Sequence, residues 1–109
     1  MLTLDKDIYG KTIALQLKGD IDIEATETFH NELFPLIKDA YSSYEISMKE
    51  VEFVDSTGIG LVLHLIEYIK TLGSLLKIVD IRQEVYDVFS ILQIEEIVGK
   101  EVFKNIEII

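Results

Sequence analysis

The amino-acid sequence predicts an α/β fold, in which helices pack on a sheet of mixed strand direction. Some segments alternate apolar and polar residues, which is the period of a half-buried strand. Along the chain they are followed by segments whose apolar residues have helical spacing. A strand, helix, strand order implies parallel neighbouring strands joined by right-handed crossovers. The length of 109 residues, 49% of them hydrophobic, suits one domain that buries a core and leaves no room for two.

The first elements are predicted to be a hairpin and a helix. Residues 13–17 alternate apolar with polar or small side chains, and residues 9–11 form a turn back to an apolar segment at residues 2–4. The next segment has an apolar helical face, which consists of Ala25, Phe29, Leu33, Leu36, Ile37 and Ala40. Pro35 cannot donate a hydrogen bond to the carbonyl of Asn31 and crowds it, so we expect a kink or a break there.

The second half of the chain predicts two further strand and helix pairs. In order, these are a strand over 44–49, an apolar segment over 51–54, a helix over 59–72, a strand over 75–79, a helix over 85–92 and a final strand over 101–109. The helix over 59–72 is apolar around most of its circumference. Its apolar side chains are predicted either to contact a partner or to be buried between the sheet and a neighbouring helix.

Charge and composition exclude several classes of function. Ten basic and 20 acidic residues give a net charge of −10, which repels nucleic acid and anionic lipid, so neither nucleic-acid binding nor membrane insertion is expected. The absence of cysteine excludes disulfides, thiolate catalysis and cysteine-ligated metals. The first residues lack the basic-then-apolar order of a signal peptide, and His64, Glu67 and Lys70 interrupt the longest apolar stretch. The sequence therefore predicts a cytoplasmic protein.

Two polar turns follow predicted strands, at residues 19–22 and 55–58, and we expect them to lie side by side at one edge of the sheet. Ser56 lies at a helix start, where unpaired N–H groups and the helix dipole tolerate a phosphate. No His or Lys lies nearby in sequence to act as a base, so Ser56 is predicted to accept phosphate and not to act as a nucleophile. In a simpler interpretation, Asp55 or Ser56 only caps the helix, and the glycines only allow close packing.

The glycines of this turn, Gly58 and Gly60, each cost about 1 kcal/mol relative to Ala within a helix. Small residues around the hydroxyl would let the active site of another protein reach it. We therefore expect the two glycines to provide access to Ser56.

The segment 55–60, with Gly19-Asp20-Ile21-Asp22 upstream and an apolar helix after it, resembles the STAS-domain anti-sigma factor antagonists. The resemblance spans nearly the whole chain and implies one STAS domain over residues 1–109, with a mixed sheet of four to five strands and helices mainly on one face. Ser56 matches the phosphorylated serine of the family, and Thr57 is the second choice. The implied partner-binding residues are Asp20, Asp22, Asp55, Thr57, Gly58, Ile59 and Gly60.

This resemblance implies a reversible switch without enzymatic activity, cofactor or metal. The unphosphorylated form binds an anti-sigma factor that is also a serine kinase, and a sigma factor is released. Phosphorylation of Ser56 ends the binding, and a phosphoserine phosphatase restores the first state.

Two alternatives have their own sequence signals. Residues 60–66 also resemble a helix of STAS subunits attached to lipid-transport ATPases, where the domain is a regulatory scaffold, and other STAS relatives act in signalling complexes. Asp20 and Asp22 resemble the nucleophile loop of aspartate-based phosphotransferases. However, Glu24 occupies a position where those enzymes have Thr or Val, and further metal and phosphate ligands are not evident.

Overall fold

The computed structural model describes residues 1–37, 41–93 and 102, and it contains a four-stranded mixed sheet. The strands are β1 (Thr3–Tyr9), β2 (Thr12–Lys18), β3 (Ser43–Glu50) and β4 (Leu75–Val79), in the order β1-β2-β3-β4. β1 pairs with β2 in antiparallel direction, whereas β2 with β3 and β3 with β4 are parallel. The predicted α/β fold with a mixed sheet is confirmed.

The opening hairpin is also confirmed, and its first strand is longer than predicted. Ile8 lies opposite Ile13, and Gly10 adopts a φ of 61° in the turn, which glycine reaches without steric cost. The Lys18 ammonium lies 2.9 Å from the Asp5 carboxylate on the exposed face of this hairpin. The hydrogen bond and the charge of Asp5 raise the pKa of Lys18 above its ordinary value of 10.5.

The helical segment between β2 and β3, called α1 here, covers residues 23–36 and changes its hydrogen-bonding pattern along its length. It runs as a 3₁₀ turn (Ile23–Ala25), an α-helical turn (Thr26–Thr28), a π-helical turn (Phe29–Leu33) and a second 3₁₀ turn (Phe34–Leu36).

Pro35 explains the end of α1. The helix widens just before Pro35, where the Phe34 N–H donates to the Phe29 carbonyl, and Ile37 is extended. The predicted break is confirmed. The predicted extension of the helix through Ile37 is wrong, and Ala40 lies outside the described residues.

Two further helices complete the described part of the chain, α2 (Ser56–Thr71) and α3 (Gln83–Ile91). α2 begins at Ser56, as expected for a hydroxyl at the helix start. Its apolar side chains are in the core, where the buried residues of this helix are Gly58, Ile59, Leu61, Val62, Leu65, Ile66 and Ile69. Burial, and not contact with a partner, therefore accounts for the wide apolar surface of this helix.

The helices cover one face of the sheet. The crossovers from β2 to β3 and from β3 to β4 both move toward the same edge of the sheet. Right-handed crossovers that move in one direction place their helices on the same face. Ile13, Tyr44 and Ile78 are buried on that side, whereas Glu45 and Lys77 are exposed on the other. The predicted final strand over 101–109 lies outside the described residues except for Val102, which is buried.

Candidate functional site

The two polar turns meet at one edge of the sheet, as predicted. The parallel strands β2 and β3 both end there, and the chain continues to pair beyond them through a bridge between Ile21 and Val54. The Ile21 N–H donates to the Phe53 carbonyl at 3.0 Å, and the Asp55 N–H donates to the Ile21 carbonyl at 3.3 Å. The backbone of Ile21 therefore fixes the first turn against the second.

Asp55 caps α2. Its backbone is extended, with φ −100° and ψ −175°, and its Oδ1 accepts a hydrogen bond from the Gly58 N–H at 2.8 Å. The Asp55 carbonyl accepts from the Ile59 N–H at 2.9 Å, which begins the helical ladder. A carboxylate at this position also interacts favourably with the positive end of the helix dipole. Of the two residues that could have capped the helix, Asp55 does so.

Ser56 is the first residue of α2, and its side chain is exposed. Its Oγ makes no hydrogen bond with any other described residue, because the capping bond comes from Asp55. The N–H groups of Ser56 and Thr57 have no partners within the helix, because no earlier helical turn supplies carbonyl groups to accept their hydrogen bonds. Thr57 is exposed as well. The turn thus presents two hydroxyls at the positive end of a helix of 16 residues.

The two glycines of the turn have different surroundings. A Cβ added to Gly58 would lie 1.7 Å from the Ile21 carbonyl oxygen, whereas a Cβ added to Gly60 would have no heavy atom within 4 Å outside the helix. Gly58 is therefore required by the close approach of the helix to the first turn. The fold gives no such reason for Gly60, which is exposed.

The first turn contributes two carboxylates with different surroundings. Asp22 Oδ1 accepts from the Glu24 N–H at 3.0 Å and so caps the start of α1. Asp20 is exposed. Both belong to the segment that pairs with Val54, so they add negative charge to the edge of the sheet that holds Ser56.

Not every predicted site residue is accessible. Gly58 is buried against Ile21, so the expectation that it gives access to Ser56 is wrong. Ile59 is 7% exposed and packs in the core, so neither residue is part of the surface that a partner could reach. Sequence reasoning also missed Ile21, the residue whose backbone joins the two turns. An apolar residue between two aspartates gives no signal of that role, because its pairing becomes visible only when β2 and β3 are neighbours.

None of the helices in the described part of the chain has both the length and the apolar character needed to cross a bilayer.

Residues 3–108 match the family model described as STAS domain. A curated relative from Bacillus subtilis, named anti-sigma-B factor antagonist, is 26% identical over 86 residues, which are 79% of this chain and 78% of the relative.

Two solved structures illustrate how widely the fold is used. The Bacillus cell fate determinant SpoIIAA in its phosphorylated form has a TM-score of 0.69 at 17% identity, covering 98% of this chain and 91% of that one. The murine anion transporter solute carrier 26 family member A9 has a TM-score of 0.80 at 16% identity, covering 91% of this chain and 17% of that one. Both likenesses concern the fold alone. The match over residues 3–108 shows that the chain belongs to the STAS domain family.

Proposed function

We propose that this chain is a phosphorylation-regulated anti-sigma factor antagonist of the cytoplasm. In its unphosphorylated form it binds an anti-sigma factor that is also a serine kinase, and a sigma factor is thereby released. Phosphorylation of Ser56 ends the binding, and a phosphoserine phosphatase reverses the modification. The observation that carries the proposal is the exposed Ser56 hydroxyl, which the fold leaves unused at the start of α2. The relative named anti-sigma-B factor antagonist supports it.

The surroundings of Ser56 favour phosphoryl transfer from an external kinase. A kinase must bring its own catalytic groups to within hydrogen-bond distance of the hydroxyl, so the acceptor needs free space around it. Gly60 follows Ser56 by one helical turn and adds no side chain to this space. The N–H groups and the dipole of the helix start then stabilise the dianion.

The same position makes phosphate unfavourable in an interface. A phosphoserine adds about −1.5 to −2 charges and three hydrated oxygens, which lose water if a partner covers them. Asp55 is adjacent, and the segment with Asp20 and Asp22 lies at the same edge of the sheet. A partner that covers the turn excludes water and lowers the local dielectric, which strengthens the repulsion between the added charge and these carboxylates. Docking therefore weakens through both desolvation and repulsion.

The other residues of the site support this role indirectly. Asp55 holds the start of α2 in place, and Gly58 lets that start contact Ile21, so both determine where the hydroxyl points. Asp20, Thr57 and Gly60 form the exposed surface around Ser56 that the anti-sigma factor contacts.

The assignment of Ser56 as phosphate acceptor can be tested by incubating the protein with ATP and the serine-kinase anti-sigma factor of the same organism. Intact-mass measurement should show one added phosphoryl group on the wild type and on Thr57→Ala, and none on Ser56→Ala. The two variants are matched, because each removes one exposed hydroxyl from the same helical turn. Undiminished phosphate on Ser56→Ala would move the site to another residue and contradict the proposal.

Purification of the tagged protein from its native cell separates the proposal from its alternative. Recovery of a kinase-like anti-sigma factor supports the switch. Recovery of transporter ATPase subunits in its place would favour a regulatory scaffold.

A further inference from the structure

A cluster of four rings lies on α1 and α2 and is largely exposed to solvent. The ring of Phe34 lies 5.3 Å from that of His30, 5.2 Å from that of His64 and 6.4 Å from that of Tyr68, measured between centroids. Phe34 is half-buried, whereas both histidines are exposed and Tyr68 is 39% exposed. We call these four residues the ring cluster. Aromatic groups in such contact present a rigid surface that loses little conformational entropy when a partner covers it.

The ring cluster continues the exposed surface that begins at Ser56. Ser56, Gly60, His64 and Tyr68 follow one another at intervals of four residues along α2, and all four are exposed. Residues four apart on a helix are neighbours, and each such step turns by about 40°, so this exposed row winds about 120° around α2 between Ser56 and Tyr68. The rise of a helix places His64 about 12 Å and Tyr68 about 18 Å from Ser56 along the axis. One protein surface docked over Ser56 can therefore extend onto the rings.

The charge of these segments indicates the chemistry of the partner. Residues 19–37 and 51–69, which include the site and the ring cluster, contain no Lys or Arg, although the whole chain has ten. They contain eight carboxylates, which are Asp20, Asp22, Glu24, Glu27, Glu32, Glu52, Asp55 and Glu67. Among these, Glu52 lies 4.0 Å from the Arg82 guanidinium, and Lys70 follows the second range directly, so the excess negative charge is carried mainly by the other seven. Such a surface attracts a cationic protein over several ångströms and fixes its orientation.

We propose that the ring cluster is a second contact for the anti-sigma factor, which presents Lys or Arg side chains to the rings of Tyr68 and Phe34. The inference rests on the proposed function and adds the chemistry of the partner surface to it. A guanidinium or ammonium group over the ring of Tyr68 or Phe34 gains cation–π energy, and carboxylates nearby add a favourable field. Tyr68 is the anchor of this contact, and the exposed ring of His64, which packs against Phe34, adds contact area beside it.

The ring contact is independent of the phosphate. At physiological ionic strength the screening length is about 8 Å, which is shorter than the separation between Ser56 and either ring of α2. A phosphate on Ser56 is therefore largely screened from cations that contact His64 and Tyr68. Removing the rings should lower the affinity for the anti-sigma factor by the same factor in the unphosphorylated and the phosphorylated protein. Sites more than about 10 Å apart contribute additively to the free energy.

The test measures the affinity of the recombinant serine-kinase anti-sigma factor for the His64→Ala/Tyr68→Ala double variant. We expect affinity about tenfold below that of the wild type, as for the loss of two aromatic interface contacts. Tyr68→Phe keeps the ring and should retain wild-type affinity. The matched control is Tyr9→Ala, since Tyr9 is 66% exposed but lies at the end of β1 opposite to the edge that holds Ser56. Circular dichroism confirms that each variant is folded.

The outcomes separate this inference from the proposed function. If the double variant binds like the wild type while the kinase still phosphorylates Ser56, the ring contact is refuted and the switch stands. A loss equally large in Tyr9→Ala would also refute it, since the effect would not depend on the rings. If no anti-sigma factor binds or phosphorylates the wild type, the proposed function and the inference both fail.

Discussion

Asp55 and Ser56 are neighbours with different tasks. The carboxylate of Asp55 accepts the Gly58 N–H and starts α2, so the hydroxyl of Ser56 is left free at the same helix end. The sequence alone left open which residue capped the helix, because both types are favoured there. Hydrogen-bond geometry decides it. The division of tasks lets the serine be modified without loss of the cap that supports it.

The two glycines of α2 give a matched pair of substitutions. Gly58→Ala should lower the free energy of unfolding by about 2 kcal/mol, because the new methyl group overlaps the Ile21 carbonyl. Gly60→Ala should raise it by about 1 kcal/mol, because alanine favours the helix and meets no neighbour. Urea denaturation measures both. Equal stabilisation by the two changes would show that α2 does not approach Ile21 as closely as described.

At the scale of elements, the start of α2 and the start of α1 are fixed at one place. Asp22 caps α1, Asp55 caps α2, and Ile21 lies between them with hydrogen bonds to Phe53 and Asp55. The position of the acceptor hydroxyl is thus set by two helices and two strands. A docking surface built in this way is rigid before a partner arrives, which lowers the entropic cost of binding.

The cap of α2 can be tested by truncation. Asp55→Ala should lower the free energy of unfolding by about 1 kcal/mol, whereas Asp55→Asn should be nearly neutral because its side-chain oxygen can still accept the Gly58 N–H. Asp20→Ala is the control, since Asp20 is an exposed carboxylate of the same sheet edge that caps no helix. Thermal and urea unfolding compare the three. A similar loss in Asp20→Ala would assign the effect to net charge instead of capping.

Short-range patterns in the sequence predicted most of the helices and strands. Contacts between residues distant in sequence account for the features that were not predicted. Alternation and helical spacing placed the strands and helices of the described residues, and the chemistry of proline placed the end of α1. The π-helical turn before Pro35 was not predictable, because the missing proline N–H indicates a break but not which hydrogen bonds form beside it. The ring cluster was missed because His64 and Tyr68 belong to a different helix from Phe34, so their contact depends on how α1 and α2 pack.

The same limit applies to the site. The turn with Ser56 could be found from its residue types, and the meeting of both turns followed from parallel strands. The different surroundings of Gly58 and Gly60 could not be predicted, because they depend on the distance between Ile21 and α2. The sequence likewise could not decide that Ile59 is buried, since an apolar residue at a helix start fits either a core or an interface.

At the scale of the whole molecule, the fold separates stability from recognition. The helices bury one face of the sheet, and at the carboxyl ends of β2 and β3 the buried residues Ile21, Val54 and Ile59 support a turn whose Ser56 and Thr57 stay exposed. A surface with net charge −10 adds steering of cationic partners. Because a similar fold also occurs within a murine anion transporter, the fold does not define the function. The exposed hydroxyl and its acidic surroundings carry the proposal.

The most direct test compares the affinities of unphosphorylated and fully Ser56-phosphorylated protein for the anti-sigma factor, measured by titration calorimetry. We predict that phosphorylation weakens binding at least about a hundredfold, since the interface would have to desolvate a dianion next to Asp55. Equal affinity of the two forms would contradict the account.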